Sequence, residues 1–138
     1  MKLKKSLLTI CILLIVLNST GVLYKEEKFK EKKFGDTFNL RQGYRLYLDS
    51  VDWSNQTIIL QLIKANGEIV DSQILTKGSN FNFYDHNVPY NLIINATFQS
   101  LFIGRDLYAI RIVDLVQYNK NTGKAMLTVD NIVLFKHR

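Results

Sequence analysis

From residue 34 onward the chain alternates between apolar and polar positions with a period of two. Tyr44, Leu46 and Leu48 share one parity, while Arg45, Tyr47 and Asp49 share the other. Ile58, Leu60 and Leu62 repeat the pattern within residues 57–64, and residues 68–75 return after Ala65-Asn66-Gly67. Asn-Gly between two such runs predicts a hairpin, because both residues tolerate positive φ. The cleanest run is residues 90–98, with Tyr90, Leu92, Ile94, Ala96 and Phe98 on one face and Asn91, Asn95 and Thr97 on the other. Gly104-Arg105-Asp106 breaks it, residues 107–118 form a long branched strand, and residues 125–135 close the chain after a turn at 119–123. No stretch carries a helical period. The expectation is an all-β domain, an antiparallel β-sandwich of about 7–9 strands.

The first residues follow a different rule. Lys2, Lys4 and Lys5 precede a run at 7–17 that is apolar except for Thr9, and Asn18, Ser19, Thr20 and Gly21 follow. This is the layout of a signal peptide. The run is short for a bilayer core that takes about 20 residues, yet extending it through Tyr24 makes an N-terminal membrane anchor feasible. Residues 1–21 are therefore expected as a signal or anchor helix, cleaved or retained, that sends the remainder outside the cell. Cys11 lies inside the apolar run behind Ile10, so it is not placed as a lipoprotein cysteine.

Charge changes the picture once the leader is set aside. The 138-residue chain is +6, from 18 basic and 12 acidic residues. Removing the three leader lysines leaves +3 (15 − 12), and residues 25–33 carry +2 of that (five Lys, three Glu). The folded part is then close to neutral, which argues against a nucleic-acid partner. Residues 22–36 are expected as a charged spacer, and residues 37–138 as the domain.

Candidate chemistry is sparse. One Cys excludes an internal disulfide framework, and two His make a multi-His metal site improbable. His86 lies in the polar turn Tyr84-Asp85-His86-Asn87, and His137 is penultimate. Asp49, Asp52, Asp71, Asp85, Asp106 and Asp114 fall mostly at predicted strand ends, where Asp favours turns. Neither paired catalytic acids nor a spaced calcium loop is visible. The expectation is a non-enzymatic protein with no catalytic residues, no cofactor and no metal. Asn55-Gln-Thr57 and Asn95-Ala-Thr97 match the N-glycan acceptor pattern, one at a predicted turn and one on the polar face of a strand. Among many aromatics expected in the core, Trp53 lies beside a turn, where exposure would give a sugar a ring to stack on.

The order of segments resembles the repeated β-sandwich domain of methanogen surface-layer (S-layer) proteins, the S-layer-related duplication domain. The resemblance runs from about residue 38 to 118. Its carriers are residues 43–52 (GYRLYLDSVD), 59–71 (ILQLIKANGEIVD), 81–84 (FNFY), 96–99 (ATFQ) and the strand at 107–116. It implies a cell-envelope structural protein of the archaeal surface, glycosylated and packed laterally against other envelope proteins or copies of itself. The large family members carry this domain in tandem, followed by a stalk and a C-terminal membrane helix, whereas this sequence holds one copy. The expectation is therefore a small accessory envelope protein. The alternative is a secreted or membrane-anchored binding module, recognising carbohydrate or serving as the stator of a surface filament.

Overall fold

A computed structural model describes residues 24–87 and 91–138. The expected leader helix and Cys11 lie outside the described residues. Within them are nine strands: β1 (Lys25–Lys33), β2 (Phe38–Asn39), β3 (Tyr44–Asp52), β4 (Thr57–Lys64), β5 (Ile69–Thr76), β6 (Asn80–Tyr84), β7 (Leu92–Ile103), β8 (Leu107–Tyr118) and β9 (Ala125–His137). They form a five-stranded sheet ordered β1-β9-β8-β7-β6 and a four-stranded sheet ordered β2-β3-β4-β5. No helix among the described residues is long and apolar enough to cross a membrane.

The alternation read from the sequence fills one core between these sheets. Tyr44, Leu46 and Leu48 of β3 and Ile58, Leu60 and Leu62 of β4 point inward from the smaller sheet. Phe81 and Phe83 of β6, Ile94, Ala96 and Phe98 of β7, Ile110, Ile112 and Leu115 of β8, and Val129, Ile132 and Leu134 of β9 meet them from the larger one. Burial at about 25 cal/mol per Å² of apolar surface makes this layer the main source of stability. Tyr44 meets Phe83 edge-on at 5.8 Å, and burial, followed by the Asp85 charge, raises its phenol pKa.

Two local features differ in detail from expectation. At Asn66-Gly67 only Gly67 is left-handed, at φ 88°. Lys64 N–H donates to Glu68 C=O at 2.8 Å and Gly67 N–H to Lys64 C=O at 2.9 Å. The connection is thus a three-residue loop of the type I plus bulge kind, which needs one left-handed residue instead of two. Asp114 is not at a strand end. It sits inside β8 at φ 54°, a conformation that Asp tolerates better than most residues.

The larger difference is β1. The charged run at 25–33 reads as a spacer, yet the structure pairs it with β9 from Lys25↔Leu127 to Lys33↔Phe135. This pair is parallel, so the larger sheet is mixed, not purely antiparallel as expected. An edge strand binds through its backbone and needs no apolar side chains; lysines there also discourage a further strand from adding. None of the nine β1 residues is buried.

Candidate functional site

The outer face of the smaller sheet carries the least expected feature. Residues opposite one another across β4 and β5 pair Ile59 with Ile74 and Ile63 with Ile69. All four lie on the sheet face opposite to the core residues Ile58, Leu60 and Leu62, the register shift between Leu62 and Ile63 bringing Ile69 and Ile74 to the same side. Ile74 is 73% exposed and Ile69 54%, while Ile59 and Ile63 are half-buried by their neighbours. Tyr47 and Gln61 stand opposite each other beside them, as do Arg45 and Ile63. Arg45 is turned aside, donating from Nη2 to the Ala65 carbonyl at 2.6 Å. A solvent-facing strand normally alternates with polar residues. Here Ile58-Ile59-Leu60 and Leu62-Ile63 are apolar on both faces, a signal present in the sequence that the search for a single buried face passes over.

The sheet edges are handled differently. Charged residues cover β1, and Gln73 of β5 reaches across to β6, donating from Nε2 to the Asn82 carbonyl at 2.8 Å. Such covered edges direct association toward faces.

The second candidate lies where the strands end. Phe34, Trp53 and Tyr108 come from three separate segments. Phe34 and Trp53 stack at 6.3 Å with 13° between planes, and Trp53 leans on Tyr108 at 4.7 Å. Arg138 lies 5.1 Å over the Tyr108 ring, held there by its Nη1 bond to the Gly104 carbonyl at 3.1 Å and its N–H bond to the Asp106 carbonyl at 2.9 Å. Beside the column is a cleft of about 270 Å³, with Asp49, Ser50 and Lys136 among its lining residues. Trp53 is half-buried rather than open, because the rings spend much of their surface on one another.

The sequence-derived candidates remain apart. His86 is exposed on a turn closed by Asn87 N–H donating to Asp85 Oδ1 at 3.0 Å. His137 is exposed and meets Phe135 edge-on. Among the described residues, no three His, Cys, Asp or Glu side chains come together in a way that would hold a metal ion. Asn55 is exposed in the loop after Trp53. Asn95 is half-buried within β7, between Asn82 of β6 and Val116 of β8. The Thr97 hydroxyl of the second acceptor pattern donates to Asn80 Oδ1 at 2.8 Å. The first pattern is therefore the better presented of the two.

Asp52 organises the Asn55 loop. It accepts the Asn55 N–H at 3.1 Å and the Asn55 Nδ2 at 2.8 Å. The backbone N–H of Asn55, then its side-chain amide, hold the Asp52 carboxyl below the ordinary Asp value against a smaller opposing effect of desolvation. A depressed folded-state pKa contributes stability above the unfolded value, and that contribution disappears as pH falls through the folded one. The expected outcome is that Asp52→Asn loses less stability on acidification than the wild type, checked by thermal melts across the acid range.

Sequence reasoning did not anticipate Gln117. It is fully buried on β8, and its side-chain amide clamps one residue of the β2–β3 connection. Arg41 N–H donates to Gln117 Oε1 at 2.7 Å, and Gln117 Nε2 donates to the Arg41 carbonyl at 2.7 Å. No family model matches the chain, and searches of the curated proteins and of the solved structures return no match.

Proposed function

We propose that this chain is a non-enzymatic structural protein of the cell envelope, resembling a single S-layer repeat, that works at the outer surface by packing against copies of itself or other envelope proteins. The observation that carries the reading is the isoleucine face of β4 and β5, where Ile74 is the most exposed large apolar side chain among the described residues. Fully burying an isoleucine is worth roughly 1.5–3 kcal/mol, so covering Ile69 and Ile74 supplies a substantial part of an association energy. The face would form the centre of an interface of about 1,000 Å² or more. The leader, with Lys2, Lys4 and Lys5 ahead of its apolar run, supports a location outside the membrane. The exposed Asn55 loop is suited to a glycan.

Sedimentation velocity over a concentration series tests the association. The wild type is expected to self-associate. Ile69→Lys with Ile74→Lys is expected to weaken that association at least about tenfold with the melting temperature nearly unchanged, because neither side chain reaches the core. A wild type that stays monomeric when concentrated and also fails to capture other envelope proteins through this face would remove the reading. N-terminal sequencing and intact mass of the native protein test the leader and the glycans together.

The cleft beside Trp53 favours a second reading, a binding module for a small polar ligand such as a sugar. Trp53 is the sole tryptophan of the chain. A change in its fluorescence on titration with envelope saccharides would support that reading, and an unchanged spectrum would oppose it.

A further inference from the structure

We propose that β1 is an exchangeable strand, able to leave its own β9 and pair with β9 of a second copy of this chain. The edge of β9 is then the acceptor surface of an interface between copies.

Within its nine residues β1 has little that ties it to its own core; the apolar tie is Phe34 just after it, which packs against the core and stacks on Trp53 and must detach with the strand. Eight of its nine residues are charged, and Phe29, its one apolar residue, is 55% exposed. Its half-buried Glu27 is paired with Lys25 at 2.8 Å and Lys30 at 3.3 Å, both on the same strand, so these ion pairs travel with it. What holds β1 in place is the parallel backbone ladder to β9, extended by the Phe34 N–H bond to the Phe135 carbonyl at 2.8 Å. The Tyr24 hydroxyl, 2.8 Å from Thr128 Oγ1, adds to the same edge. A backbone ladder is indifferent to which copy supplies the strand.

β9 is the opposite case. Leu127, Val129, Ile132 and Leu134 are buried in the core, and β8 holds its other edge. It stays folded as a template whether or not β1 lies on it. The link between the two behaviours is short. Residues 35–37 join Phe34 to the buried Phe38 of β2, with Gly35 left-handed at φ 91° and Asp36 N–H closing the turn on the Lys33 carbonyl at 3.1 Å. Opening that turn projects a strand of nine residues, about 30 Å long, away from its own sandwich. The net charge of +2 on β1 (five Lys, three Glu) disfavours pairing between two such strands, whereas β9 offers a fixed apolar-backed edge as the acceptor. Reciprocal exchange closes a dimer; exchange passed from copy to copy builds an open chain. Dilution favours the internal pairing, through its high effective concentration, and crowding favours exchange.

The inference takes its crowded setting from the envelope reading but uses a surface separate from the isoleucine face. The test uses full-length chains carrying Cys11→Ser. One holds Glu31→Cys and the other Val133→Cys, positions that face each other in the β1–β9 register. Concentrated together and then oxidised, they are expected to form the mixed disulfide about tenfold more than a Glu26→Cys and Val133→Cys pair, which is out of register, with the yield falling on dilution. Equal yields from the two pairs overturn the proposal. Hydrogen exchange supplies a second readout that needs no cysteine. The β1 amides are expected to exchange together, well before those of β8, and to gain protection as the chain concentration rises; protection independent of concentration overturns it. Repeating the cross-link with Ile69→Lys and Ile74→Lys separates the two surfaces. A persistent mixed disulfide supports strand exchange even if the isoleucine face is not an interface, whereas its loss on that background assigns the contact to the face and overturns exchange.

Discussion

Phe98→Ala is expected to destabilise the protein by about 3–5 kcal/mol, read as a drop in the denaturant midpoint with little change in slope. Phe98 is fully buried in β7, within the layer where both sheets meet. Its backbone is fixed on both sides: the Phe98 N–H donates to the Ser79 carbonyl at 3.0 Å, and the Phe98 carbonyl accepts from Gly78 at 2.7 Å. The chain there has little freedom to collapse into the space left by the ring, which is the condition for a large cavity cost. A domain of this size has about 5–15 kcal/mol in total, so the variant loses a large fraction of it. Phe29→Ala provides the contrast. That ring is mostly exposed on β1, and its removal is expected to change the midpoint hardly at all. Similar small effects from both variants would contradict a single core shared by the two sheets.

Gln117→Leu is expected to cost about 2–3 kcal/mol even though it places an apolar side chain in an apolar site. The buried amide satisfies both backbone groups of Arg41, and leucine satisfies neither. Arg41 is only half-buried, so water recovers part of the loss and the figure stays below the full cost of two stranded groups. The effect should be local as well as global. Amides around Gln42 and Gly43, both left-handed here, are expected to exchange faster than in the wild type, while those of β8 fall only with overall stability. Uniform acceleration across the chain would show that the amide packs without clamping the loop.

The strands were readable because a sheet face buried on one side imprints a period of two, as residues 44–48, 58–62 and 94–98 show. The features that escaped have other causes. β1 is held by its backbone, so its composition carries no trace of a strand, and lysine-rich edges look like solvated linkers. The Gln117 clamp joins residues 76 positions apart and depends on one amide finding one peptide group. The column of Phe34, Trp53 and Tyr108 likewise gathers rings from distant segments. Trp53 was recognisable as unusual from its place beside a turn, but its partners were not. The isoleucine face was legible in residues 58–63, where Gln61 is the lone polar residue on the outward parity, and becomes an exposed patch once β5 is found to be the far edge of its sheet.

The direction of β1 has a mechanical consequence. β1 and β9 point the same way, and Lys25 lies opposite Leu127, at the far end of β9 from His137. Tension applied to the chain ahead of Tyr24, drawn back along the strand axis, would load the hydrogen bonds between β1 and β9 in shear, together rather than one after another. The same strand drawn sideways would unzip from one end at much lower force. A segment that thermal motion releases in crowded solution would therefore resist a lengthwise pull, and the angle of the tether would decide whether it holds.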